Sequence, residues 1–327
     1  MKRFVLLVFV ICSTAIACNA AKFVPQNQDF QSQDSITDNV EISTPAASAE
    51  LQNPTEFDEA KLGTSDKNIT YCTADAEALL MDVYYPDDLD GPWPAAVYVH
   101  GGGWVGGDKS GGVGFWLIEP LRRQGFLLAS INYRLSPEYQ FPAHIEDVKC
   151  AIRYLRANAQ LFNLDPENIG AFGGSAGGHL VALLGTSDSS AGLEGTGEYH
   201  EFSSRVQAVV DMYGPTDSLA FCIPAKIETV FGASSCDSEI VTNASPITHI
   251  TQDDPPFLIL HGDQDDVVPL NQSEILHDAL IAGGIESTLI VVDNAGHGFS
   301  REGDGDLNPD MRTILQMVFD FFDKHLK

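Results

Sequence analysis

The sequence predicts one α/β domain with a central, mostly parallel sheet flanked by helices and a small cap insertion over one end. Three observations predict it. Short runs rich in Val, Ile, Leu and Phe alternate with helical patterns from about residue 61 onward, the order of βαβ units. Several of these runs are apolar without a break, as strands buried on both faces of a parallel sheet require. The chain has 327 residues, 44% of them hydrophobic, enough apolar material for one or two packed cores.

The expected strands are 95–99, 126–132, 168–172, 206–212, 257–261 and 287–292. A helix is expected over 147–162, where Val148, Ala151, Ile152, Leu155, Ala159 and Phe162 share one face. Residues 276–282 and 311–325 show the same stripe. The segment 218–250 breaks the alternation and reads as the insertion.

Lys2 and Arg3, an apolar run from Phe4 to Ile11 and small residues to Ala17 form a secretory signal over residues 1–17. Two processing routes compete. Ala15-Ile16-Ala17 suits ordinary cleavage before Cys18, and Thr14 to Cys18 resembles a bacterial lipobox that would make Cys18 a lipid anchor. Export follows from either: secreted, periplasmic or held at the cell envelope. Residues 18–60 read as a disordered acidic spacer, rich in Gln, Ser, Asp, Thr and Pro with hardly any base, too polar to offset the entropy of ordering. Asn68, Asn243 and Asn271 open glycosylation sequons.

Outside the leader, Cys72, Cys150, Cys222 and Cys236 remain, an even number for an exported chain. Cys222 and Cys236 flank a short stretch with Pro and Gly and are the expected bridge. Cys150 falls within a helical pattern and reads as a small buried hydrophobe. No pair has zinc-ligand spacing. Lys and Arg total 18 against 46 Asp and Glu, a formal net charge of -28. A nucleic-acid partner needs a basic footprint, which is missing, and polyanionic substrates would be steered away. A membrane is reached only through a lipid at Cys18.

Residues 168–172 run into Gly173-Gly174-Ser175-Ala176-Gly177, which opens an apolar helix. G-x-S-x-G between strand and helix puts a nucleophilic hydroxyl on a tight turn where larger side chains than glycine would clash. Downstream, Asp263, Asp265 and Asp266 follow the strand 257–261, and His297 follows the strand 287–292 in a Gly-containing loop. The order Ser, Asp, His matches α/β-hydrolases. His297 then takes the Ser175 proton, and an Asp orients the imidazole. Position relative to the strand end and to Val268-Pro269 favours Asp265. Gly101-Gly102-Gly103 after the strand 95–99 can turn backbone N–H groups toward an oxyanion. A phosphate-binding loop is excluded because Lys109-Ser110 stand at the wrong spacing.

Together, His100-Gly101-Gly102-Gly103-Trp104, Asn132-Tyr133-Arg134-Leu135, Phe141-Pro142-Ala143, the Gly173–Gly177 elbow, His261-Gly262 with Asp265 and Val268-Pro269, and Gly296-His297 resemble the hormone-sensitive-lipase-like carboxylesterases. Met81-Asp82-Val83-Tyr84-Tyr85-Pro86 is most similar to their small carbohydrate acetyl/feruloyl esterase-like branch. The resemblance covers about residue 68 to the carboxyl end and implies an α/β-hydrolase catalytic domain over 61–327. It implies Ser175, Asp265 and His297 as triad, with N–H groups of Gly102, Gly103 and Ala176 as oxyanion hole and no cofactor. It also implies His100 as a loop anchor, Arg134 and Asp147 as scaffold, and His179 as a packing or hydrogen-bonding group. The expected substrate is a small or carbohydrate-linked ester with a short acyl group, since the region before Tyr71 is spacer rather than a long cap. A serine exopeptidase of the prolyl-oligopeptidase type shares fold and triad order but has a large extra domain for which the chain has no room. A non-catalytic binding module would show a broken triad, and none is seen.

Overall fold

The computed structural model describes residues 57–327, apart from 89–90 and 219–220. The signal (1–17) and nearly all of the spacer lie outside the described residues. Phe57 does not. It stands edge-on to Trp93 with ring centroids 5.2 Å apart, and Glu59–Lys61 forms a single 3-10 turn. The packed structure therefore includes residues that the sequence assigns to the spacer.

Eight strands form one sheet: β1 (Ser65–Ala74), β2 (Glu77–Tyr84), β3 (Trp93–Val99), β4 (Leu127–Ile131), β5 (Leu164–Gly174), β6 (Ala208–Met212), β7 (Phe257–Gly262) and β8 (Ser287–Val292). Their spatial order is β1-β2-β4-β3-β5-β6-β7-β8. From β4 to β8 neighbouring strands are parallel, whereas β1–β2 and β2–β4 are antiparallel. The helices are α1 (Ile118–Arg123), α2 (Ala143–Ala157), α3 (Ala159–Phe162), α4 (Ala176–Thr186), α5 (Pro224–Phe231), α6 (Glu239–Asn243), α7 (Asn271–Gly283) and α8 (Met311–Leu326). None of the described helices is long and apolar enough to cross a membrane.

Alternation along the central strands sends side chains into two cores, one per face. Ala95, Val97 and Val99 of β3 join Val148, Ile152 and Leu155 of α2 and Leu180 of α4. Ala96 and Tyr98 join Leu121 of α1 and Ile314, Val318 and Phe322 of α8 on the other face. Every residue of α4 is buried, as expected of a helix that is apolar all round. The insertion carries α5 and α6 and connects the carboxyl end of β6 to the amino end of β7.

Four details depart from expectation. The hairpin β1–β2 was not foreseen, because β1 is half polar and its two-residue turn lacks the usual Asn-Gly signal. Asp75 and Ala76 occupy that turn at φ 49° and 66°, the two positive values that a right-twisted hairpin favours. The helix expected over 147–162 begins earlier and breaks at Asn158, whose side chain donates to the Tyr154 carbonyl at 2.9 Å and so competes with the helical ladder. The strand expected over 168–172 extends back to Leu164. Finally, Cys150 is not a free thiol: it is bridged to Cys72, and Cys222 to Cys236 as expected. Cys72 sits on the unforeseen β1, so nothing in the sequence placed it beside α2. This bridge spans 78 positions, and loop-closure entropy values such a link at about 4 kcal/mol.

Candidate active site

Loops after β3, β5, β7 and β8 meet at the carboxyl edge of the sheet, where ligands of such sheets bind. Ser175 lies between β5 and α4 at φ 58° and ψ -122°. A side chain at Gly177 could not be accommodated, since its Cβ would fall 2.1 Å from the Val99 carbonyl oxygen. That closeness lets α4 start directly beneath the hydroxyl.

The Ser175 hydroxyl is 3.0 Å from His297 Nε2, and His297 Nδ1 is 2.8 Å from Asp265 Oδ2. Of the three neighbouring acids, only Asp265 reaches the ring. Asp263 accepts from the Ala295 N–H at 3.3 Å and ties two loops together, while Asp266 faces solvent. Burial of Asp265 opposes its charge, but the His261 imidazole 3.4 Å away and hydrogen bonds from His297 and the N–H groups of Val268 and Val267 outweigh that and hold its carboxyl well below the usual range. An ionised carboxylate only accepts, so the network assigns the proton to His297 Nδ1 and leaves the Nε2 lone pair facing Ser175.

Gly102 and Gly103 take φ 118° and 62° in the loop after β3. No described acceptor takes the N–H groups of these two glycines or of Ala176 at the start of α4. His100 stacks on Tyr133 at 4.4 Å and donates from Nδ1 to the Gly101 carbonyl at 2.7 Å, an anchor for this loop. His179 is fully buried, with its pKa lowered to about 4 by desolvation. It accepts from the Trp104 indole N–H at 3.2 Å and donates to the Ala244 carbonyl at 2.7 Å, so it hydrogen-bonds rather than reacts. Arg134 holds Asp147 through Nε and a second nitrogen at 2.7 Å, far from Ser175 in role and tied to Asp75 as well.

Tyr213 and Lys226 escaped the sequence reading, and His261, quoted there only within a motif, was given no role. Tyr213, just past β6, stands edge-on to the His297 ring at 4.9 Å. Burial raises its pKa far above the ordinary value, so it wedges the ring as a neutral group. His261, at the end of β7, donates from Nε2 to the Val268 carbonyl at 2.8 Å and accepts from the Ser273 hydroxyl at 2.6 Å. It thereby shapes the turn that presents Asp265. Lys226 of α5 donates to the Gly103 carbonyl at 2.9 Å. Their strand-end positions were the available signal for Tyr213 and His261; Lys226 had none.

Behind the elbow, Asp211 is completely buried, and one of its oxygens has no partner among the described residues. Desolvation raises its pKa to about 6, against the opposing Gly214 N–H and His261. The folded protein thus keeps this proton to about pH 6, whereas the unfolded chain releases it near pH 4. The group's contribution to stability is greatest below pH 4, falls between pH 4 and 6, and is level above. Linkage values that fall at about 3 kcal/mol, and an unpartnered amide N–H returns about 1 of it. Asp211→Asn is therefore expected to stabilise the protein by about 2 kcal/mol at pH 8 and to give no gain at pH 4. Urea midpoints at the two pH values check it.

The BD-FAE family model matches residues 81–280, which carry most of the sheet, the Ser175 elbow and the Asp265 turn. Over 236 residues the chain is 36% identical to Esterase LipC of Mycobacterium tuberculosis, covering 69% of this chain and 58% of LipC. It spans between 48% and 58% of the length of the mycobacterial relatives it matches. A carbohydrate esterase from gut microbiota, solved in truncated form, superposes with a TM-score of 0.70 at 32% identity, covering 83% of this chain and 99% of that one. The propionate-bound esterase of the planctomycete Thermogutta terrifontis gives 0.68 at 26% identity, covering 81% and 95%. With a matching family model over most of its folded length and this sheet order, the chain belongs to the BD-FAE family, among the hormone-sensitive-lipase-like esterases of the α/β-hydrolase fold.

Proposed function

We propose that this protein is a serine carboxylesterase acting on short-chain or carbohydrate-linked acyl esters through an acyl-enzyme. The observation that carries the reading is His297 standing between the Ser175 hydroxyl at 3.0 Å and the Asp265 carboxylate at 2.8 Å. Ser175 Oγ attacks the acyl carbon while its proton passes to His297 Nε2, and Asp265 stabilises the resulting imidazolium. Negative charge moves to the former carbonyl oxygen, where the N–H groups of Gly102, Gly103 and Ala176 receive it. The C–O bond to the alcohol then breaks, and the leaving oxygen takes the proton from His297. Water repeats the sequence on the acyl-enzyme, giving the acid and restoring Ser175.

The carbohydrate esterase and the propionate complex among the structural relatives support the substrate class. Wild-type protein should be assayed on p-nitrophenyl acetate, butyrate and octanoate, a feruloyl ester, acetylated xylan and aminoacyl anilides. Turnover greatest on the acetyl, butyryl and sugar-linked esters is expected. Preference for octanoate would overturn the short-acyl reading, and cleavage of anilides alone would make the protein a peptidase. Two disulfides also support an exported chain, which fractionation of cells expressing the full sequence tests.

A further inference from the structure

The insertion between β6 and β7 meets the loop after β3 at three places. Phe231, at the end of α5, lies against Trp104 with ring centroids 6.0 Å apart. Trp104 reaches Ala244, after α6, through His179. Both contacts are what any docked insertion needs: apolar burial and satisfied polar groups. The third differs. Lys226 Nζ donates to the carbonyl of Gly103, the residue whose own N–H is assigned above to the oxyanion. A Cβ on Gly103 would come within 2.8 Å of that ammonium, so Lys226 fills the space the glycine leaves open.

We propose that Lys226 is a positioning residue for the oxyanion hole, held at its post by the Cys222–Cys236 bridge. The inference rests on the esterase reading. A glycine at φ 62° has wide torsional freedom, and a misplacement of about 1 Å in a catalytic donor costs roughly a hundred-fold in rate. An ammonium on its carbonyl is a charge-assisted bond, stronger than a neutral one, and fixes the Gly103 backbone with its N–H aimed into the cleft. The bond is useful only if α5 itself stays put. Its eight residues, Pro224–Phe231, are too few for a helix stable on its own. Cys222 precedes its N-cap Ile223, and Cys236 follows its C-cap Gly232, so the bridge closes both ends of the helix into one unit. Rate thus depends on a lysine and a disulfide that touch no part of the triad.

The test measures kcat and KM on p-nitrophenyl butyrate, with thermal midpoints, for wild type, Lys226→Arg, Lys226→Met, a Cys222→Ser/Cys236→Ser pair, and that pair with Lys226→Met added. Paired serines are preferable to a reductant, which would also open Cys72–Cys150. Lys226→Met is expected to lower kcat roughly 10- to 100-fold while KM stays within about two-fold and the midpoint is unchanged, the signature of an interaction made in the transition state. Lys226→Arg should restore most of the rate. The paired serines should lower kcat by a similar factor, and adding Lys226→Met should then change little. A wild-type kcat in Lys226→Met, or a rise in KM alone, overturns the positioning role; a wild-type kcat in the paired serines overturns the clamp. An inactive wild type would instead overturn the esterase reading, whereas an active one with unaffected Lys226→Met overturns this inference alone.

Discussion

Replacing Ser175 with alanine is expected to lower kcat for ester hydrolysis by roughly a million-fold, with the fold intact. Alanine keeps the Cβ, so the elbow loses nothing but the hydroxyl that faces His297. His297→Ala should cost about as much, and the double variant hardly more, because proton acceptor and nucleophile act as one unit. A further substitution separates chemistry from folding. Ser175 holds φ 58° and ψ -122°, a region that costs a non-glycine residue on the order of 1–3 kcal/mol. Ser175→Gly should therefore be as inactive as the alanine variant yet melt at a higher temperature than wild type. Rates on p-nitrophenyl acetate and midpoints from circular dichroism check both. Retention of about a tenth of the wild-type kcat by Ser175→Ala would remove this serine from the reaction.

Asp265→Asn comes second, with an expected loss of about ten-thousand-fold. The reason is orientational. One carboxylate oxygen accepts from the N–H groups of Val267 and Val268 at 2.8 and 2.9 Å, and the other faces His297 Nδ1. In the amide, the carbonyl oxygen must take the side of the two N–H donors, which turns the NH₂ toward His297. The ring then has to accept at Nδ1 and carry its proton on Nε2, where Ser175 needs a lone pair. Asp263→Asn and Asp266→Asn, whose side chains do not reach the ring, should leave kcat within a few-fold of wild type. A larger loss at Asp266 than at Asp265 would reassign the acid.

Ser175, His297 and the glycines after β3 were legible as candidates because the chemistry proposed for them restricts residue type and neighbours alike. A serine on a strand-to-helix turn needs glycines at 173 and 177, and a histidine that must swing needs the small residues around 297. Asp265 was harder, since three acids crowd one turn and only the backbone path decides which points inward. The hairpin β1–β2 was illegible because Ala76, exposed at the turn, takes a positive φ without being glycine or asparagine. Losing the hairpin hid the Cys72–Cys150 bridge as well, because a pairing between distant segments shows in a sequence only after both are placed. Lys226 left no trace at all: a single lysine in an insertion has no period and no motif.

The two residues proposed to react differ in how they are held. Ser175 follows β5, flanked by a strand on each side, whereas His297 follows β8, which closes the sheet with a neighbour on one side only. The proposed nucleophile is thus mounted on an interior strand and its proposed base on an edge strand. Opening of the edge strand would part His297 from Ser175 and withdraw Val292, Ala295 and Phe299 from one core, and such a local opening costs less than global unfolding. For the proposed esterase, heating is accordingly expected to abolish ester hydrolysis at the rim of the sheet before the circular dichroism signal of the whole is lost.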